Sequence, residues 1–201
     1  MIKRVHRGLR GKIRLISGAC LLLSVLMPLL LFAATARIAS SAAEYQIKAA
    51  YLYNFSQFIE WPSAAFEAPA SSFNLCVFGK DPFGESLRPI ADRVYRKHPI
   101  SIRYPKNIVS ARSCHILYIA NSEAGRFRAV LDKLSGAPVL VVSSLPNFVD
   151  RGGIVGFERV GSHVRFAINQ TAGMRNGLSY SAKLLEVAVR IVGAIAAEGS
   201  P

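Results

Sequence analysis

Three short, mostly apolar runs constrain this chain most: Phe73 to Phe78, His115 to Ala120 and Val139 to Val142. Each is too short for a buried helix and has no alternation of faces, so each reads as a strand covered on both sides. Helix-length segments lie between them. Asp81-Pro82 opens one running to about Ala91, with Asp81 as N-cap and Pro82 at the first helical position. Asn121 or Ser122 can cap another from Glu123 to Leu134, which carries Phe127, Val130, Leu131 and Leu134 on one face. Ile100 to Arg103, between Pro99 and Pro105, reads as a further strand. Ile154 to Phe157 and Val164 to Ile168 flank a turn at Gly161 and suit an antiparallel hairpin. Helices are expected near Gln170–Arg175 and over Ser181–Val192. The fold class is α/β: a single-domain α/β/α sandwich with a mixed, mostly parallel sheet, a C-terminal antiparallel hairpin and helices on both faces.

Ahead of the first strand, Lys48 to Glu60 forms an amphipathic helix stopped at Trp61-Pro62. At helical spacing Ile47, Tyr51, Leu52, Phe55, Phe58 and Ile59 share one arc, interrupted by Lys48, while Asn54, Ser56, Gln57 and Glu60 lie opposite. The wheel assigns Tyr51, Phe55, Phe58 and Ile59 to the core. Tyr53, pointing away from the arc, and Trp61 at its end are the candidates for a partner interface.

The first 42 residues have the layout of a secretory signal: six basic residues without an acidic one, an apolar run from Leu15 to Ala34, then a small-residue tract ending near Ala42 or Ala43. An uncleaved anchor over residues 15–34 is the alternative, since about 20 apolar residues can span a bilayer. Either way residues 43–195 form an exported domain with a periplasmic location, and residues 196–201 are expected to be a disordered tail. Removing residues 1–42 takes seven of the 25 Lys and Arg and none of the 12 acidic residues, leaving 18 against 12 and a net charge of +6. That modest excess, on an exported chain, excludes nucleic acid as the expected partner. Two cysteines remain, Cys76 and Cys114. In an oxidising compartment they are expected to pair, closing a loop of about 39 residues worth about 4 kcal/mol on the chain-entropy model; two buried thiols are the alternative.

Catalytic patterns are not met. His98, His115 and His163 lie on different elements without metal-ligand spacing, and Gly177-Leu-Ser179-Tyr-Ser181 lacks the second glycine of a nucleophile elbow. No carboxylate pair stands out, so neither an enzyme nor a cofactor is expected. Arg151-Gly152-Gly153 precedes a strand, where a phosphate loop would follow one. The ends of the three apolar strands gather Lys80, Asp81, Asn121, Ser122, Ser143 and Ser144 along one edge, a candidate small-ligand pocket. The alternative is that Asp81, Ser122 and Ser143 only cap helices.

Lys48-Ala-Ala-Tyr-Leu-Tyr-Asn-Phe with Glu60-Trp61-Pro62 resembles the start of the YfiR-like family. The resemblance continues through Leu75-Cys76-Val-Phe-Gly79, Asp81-Pro-Phe-Gly84, Cys114-His-Ile-Leu-Tyr-Ile119, Gly152-Gly-Ile154, Phe166-Ala-Ile-Asn169 and Leu178-Ser-Tyr-Ser-Ala-Lys-Leu-Leu185. It implies a non-enzymatic periplasmic α/β protein that represses an inner-membrane diguanylate cyclase by binding its periplasmic region, so controlling cyclic di-GMP and biofilm formation. It also implies the Cys76–Cys114 pair and, for some members, a homodimer. A second cysteine pair of some members is absent. The stretch from Val142 to Gly153 carries Phe148 and Arg151 instead, so redox regulation through that second pair is not expected here. A periplasmic small-ligand-binding module feeding a sensor kinase or transporter is the competing functional expectation.

Overall fold

The computed structural model describes residues 41–193, and the fold is that of the unit beginning at Glu44. The signal or anchor expected over residues 1–42, including the run 15–34, and the tail 196–201 lie outside the described residues, apart from 41 and 42. Among the described residues no helix is long and apolar enough to cross a membrane.

The core is an eight-stranded sheet. Its strands are β2 (Phe73–Phe78), β3 (Val94–Tyr95), β4 (His98–Arg103), β5 (Ile116–Ile119), β6 (Leu140–Ser143), β7 (Val155–Val160), β8 (His163–Asn169) and β10 (Arg190–Val192). Their spatial order is β3-β4-β2-β5-β6-β7-β8-β10. The neighbours from β4 to β7 run parallel, while β3 is antiparallel to β4, β8 is antiparallel to β7, and β10 runs parallel to β8. All residues of β2, β5 and β6 are buried, which is why their sequences are mostly apolar, with Asn74 and Ser143 the exceptions, rather than alternating. The turn at Gly161 closes the β7–β8 hairpin. The class is thus α/β, with a mainly parallel sheet and a C-terminal antiparallel strand, as expected.

The first helix, α1, spans residues 41–58. It stops short of its expected end because Ile59–Glu60 (β1) pair antiparallel with Ser179–Tyr180 (β9) in a separate two-stranded sheet. Leu52, Phe55 and Ile59 are buried as the wheel requires, but Ile47 and Phe58 are exposed while Lys48 and Ser56 are buried. The buried stripe is therefore rotated toward Lys48. That rotation is tolerable because the Lys48 ammonium meets Glu44 at 2.5 Å and the Tyr45 ring at 4.7 Å, and Ser56 donates to the Tyr53 carbonyl at 2.6 Å. Tyr51 and Phe55 pack on Phe166, with ring centres 5.3 and 5.0 Å apart, and on Phe157. Burying a ring such as Phe55 contributes about 1.5–3 kcal/mol.

Three other expectations need correction. Asp81 does not open a helix at Pro82: its carboxylate accepts from the Phe83 N–H at 2.8 Å, a local turn. The helical segment starts only at Gly84 as a 3-10 turn and becomes α2 (Arg88–Ala91). After β5, Asn121–Glu123 is likewise a 3-10 turn, and α3 (Phe127–Leu134) starts at Phe127 without a side-chain cap. The largest difference is C-terminal. After α4 (Gln170–Arg175), α5 spans only Ala182–Val187, capped by Ser181. Residues Arg190–Val192 then leave the helix and join the sheet, the Val189 N–H donating to the Phe166 carbonyl at 3.0 Å. Val187 is 60% exposed and Ile191 36%, so this segment is an edge rather than a buried helix.

Candidate functional site

The strand order places β2 between β4 and β5, so successive connections leave it in opposite directions. The ends of β2 and β5 form the switch point at which open α/β sheets usually bind ligands. The register sets Phe78 beside Ile119 and Ile119 beside Ser143. Lys80, Asn121, Ser122, Ser143 and Ser144 accordingly follow adjacent strand ends. Gly79 has φ +99°, and a Cβ built there would lie 2.5 Å from Ser122 Oγ and 2.7 Å from Glu123 Cγ. The two turns thus pack directly on each other. Ser122 Oγ accepts from the Lys80 N–H at 2.9 Å, and the buried Glu123 carboxylate pairs with Arg126.

Ser143 is fully buried. Its hydroxyl donates to the Ile119 carbonyl at 2.8 Å and accepts from the Leu145 N–H at 3.1 Å. The Ser144 hydroxyl sits 3.0 Å from that of Tyr118, whose ionisation burial suppresses. The Asp81 carboxylate is turned back onto Phe83. Lys80, Asn121 and Ser122 are the exposed members of the set.

A second locus surrounds the disulfide. Cys76, in β2, and Cys114, just before β5, are both buried and bonded to each other. The adjacent His115 ring lies between Phe66 and Phe73, each 4.7 Å away. Its Nδ1 accepts from the Asn74 N–H at 2.9 Å, so the proton sits on Nε2 and is donated to the Ala65 carbonyl at 3.1 Å. Burial lowers the His115 pKa to about 4. Trp61 belongs to this cluster. It is 7% exposed, its indole N–H donates to the His115 carbonyl, and its ring meets Phe73 and Tyr95 edge-on. That leaves it little area to offer a partner. Tyr53 is half-buried on the other side of α1, with the Arg93 guanidinium 5.5 Å over its ring.

Two features escaped the sequence. An apolar groove of about 280 Å³ runs between α1 and α5, lined by Tyr51, Phe55, Phe58, Leu184 and Val187 and rimmed by Lys183 and Glu186. The exposed Phe58 is its one sequence signal, hidden because the wheel placed that ring inside. A smaller cavity of about 170 Å³ gathers Arg128, Arg151 and Arg175 from three elements, and no spacing rule could have linked them. Among the described residues no group of three or more His, Cys, Asp or Glu could hold a metal.

A disulfide-bonded α/β sandwich whose switch point is packed with its own side chains, and whose grooves lie on the helical faces, is built like a binding domain. The chain belongs to the YfiR/HmsC-like family, whose model matches residues 45–189. That family is regulatory rather than catalytic and is associated with periplasmic control of diguanylate cyclases. No curated protein matches. Two solved structures give limited likeness. The ABC domain in complex with L-Trp from Streptococcus pneumoniae is 9% identical, with 60% of this chain and 55% of that one aligned and a TM-score of 0.42. A conserved domain protein from Vibrio cholerae is 14% identical, with 59% and 54% aligned and the same TM-score. The chain thus spans about half the length of these two solved chains.

Proposed function

We propose that this protein is a periplasmic regulator that binds the periplasmic region of an inner-membrane diguanylate cyclase and represses it, so holding down cyclic di-GMP and biofilm formation. The supporting observation is the family match, which covers every strand of the sheet but the edge strand β10, together with the disulfide. A protein without its own chemistry regulates by binding one state of its partner more tightly than another. The groove between α1 and α5 offers the exposed aromatic and aliphatic side chains of Phe58 and Val187 that such binding uses, and Tyr53 presents a half-buried ring elsewhere on α1.

Deleting the gene and measuring cyclic di-GMP tests the reading. A rise, reversed by the intact gene, supports it, and an unchanged level removes repression as the main role. Affinity capture from detergent-solubilised membranes identifies the partner. Phe58→Asp is expected to lose capture while retaining the wild-type Tm, since that side chain is exposed in the fold, and Tyr53→Phe is expected to weaken capture while keeping the ring that packs on the core.

A further inference from the structure

We propose that the cavity framed by Arg128, Arg151 and Arg175 is a binding site for a phosphate group. Arg128 projects from α3, Arg175 from the last turn of α4, and Arg151 from the turn between β6 and β7. Among the other described arginines, Arg93, Arg103, Arg112 and Arg165 form no ion pair, whereas Arg88, Arg96, Arg126, Arg159 and Arg190 each sit against a carboxylate. Among the described residues none of the three cavity arginines does so. Asp132 also lines the cavity, one turn beyond Arg128 on α3, yet forms no ion pair with any of them. Three guanidiniums against one carboxylate leave the cavity with a net charge of +2. Gathering like charges is unfavourable unless an anion neutralises them.

The arrangement is held in place. The Arg151 guanidinium stacks over Phe127 at 4.2 Å. Its turn is anchored by Phe148, whose ring lies against Gly153 so closely that a Cβ there would fall 2.2 Å from it. The floor is fixed by Asn176, which accepts from the Gly136 N–H and donates to the Val139 carbonyl, both at 3.0 Å. The volume, about 170 Å³, is below the roughly 300–1,000 Å³ of sites for drug-sized ligands. It suits a single oxyanion, and guanidinium forks match phosphate oxygens pairwise. Free phosphate and the headgroup of an anionic phospholipid present the same chemistry.

The site is independent of cyclase repression and is tested on the chain beginning at residue 43. Inorganic phosphate is titrated at low ionic strength by thermal shift and calorimetry, and flotation is measured with phosphatidylcholine vesicles with and without phosphatidylglycerol. Arg175→Gln and Arg128→Gln are expected to weaken binding at least tenfold, whereas Arg88→Gln, on a surface ion pair elsewhere, leaves it unchanged. Phosphate binding with that pattern identifies the free ion as a ligand. The same pattern with phosphatidylglycerol vesicles alone identifies the headgroup. Binding to neither, or an equal loss in Arg88→Gln, overturns the proposal.

Discussion

The indole N–H of Trp61 donates to the main-chain carbonyl of His115 across 3.1 Å, tying the end of the first helix to the residue that follows the disulfide. The same carbonyl accepts from the Leu140 N–H, so the indole bond adds to a group already satisfied. Trp61→Phe should cost about 1–3 kcal/mol, from one net hydrogen bond and lost ring area. Urea unfolding measures it. A variant of unchanged stability that nonetheless fails to capture the partner would instead return Trp61 to an interface role.

His115 makes stability depend on pH. Its ordinary value of 6.5 falls to about 4 in the fold because burial penalises the charged ring. Between those values the unfolded chain takes up a proton that the folded chain excludes, so stability drops as pH falls through this window. The full loss is about 3 kcal/mol. His98 and Arg103, the nearby charges, act in the same direction. Chemical denaturation across that range should show the slope, and His115→Phe should flatten it while lowering stability throughout.

Opening the Cys76–Cys114 bond releases a loop spanning 38 positions. Stability should fall by about 4 kcal/mol on the chain-entropy model, read as a lower midpoint in denaturant for the Cys76→Ser, Cys114→Ser double variant. Two alkylatable thiols in the unreduced chain beginning at residue 43 would count against the bond.

Tyr180 buries a hydroxyl that has no hydrogen-bond partner and packs over Gly173. Burial also holds its pKa well above the usual phenol value. Tyr180→Phe removes an unsatisfied polar atom and should raise stability by up to about 1–3 kcal/mol. A lower Tm in this variant would mean that the hydroxyl has a partner.

Much of the sheet was legible because its strands are buried on both faces. In Phe73–Phe78 every residue is buried and all but Asn74 are apolar, and the hairpin announces itself by alternation around Gly161. Residues 188–192 misled because Ala188, Ile191 and Val192 continue the helical period of Leu184 and Leu185. Pairing with β8 overrides that propensity, Ala188 turning extended at ψ 134°. Lys48 misled in the opposite sense, since a lysine inside an apolar arc reads as a defect unless its carboxylate four residues earlier is counted. The candidate ligand residues do lie at adjacent strand ends, but no pattern could reveal that Ser122 and Glu123 fill the space against Gly79. The arginine cavity required three elements to fold before it existed.

The pairing of Ile59–Glu60 with Ser179–Tyr180 also has a consequence in time. Tyr51 and Phe55 find their aromatic partners at Phe157 and Phe166, and the Tyr51 hydroxyl donates to the Val164 carbonyl 113 residues onward. A chain made from its N-terminus must therefore carry α1 without its packing surface until nearly the last strand has appeared. The first helix written is among the last to be seated, so a truncation before residue 157 leaves its aromatic face uncovered and open to holding factors.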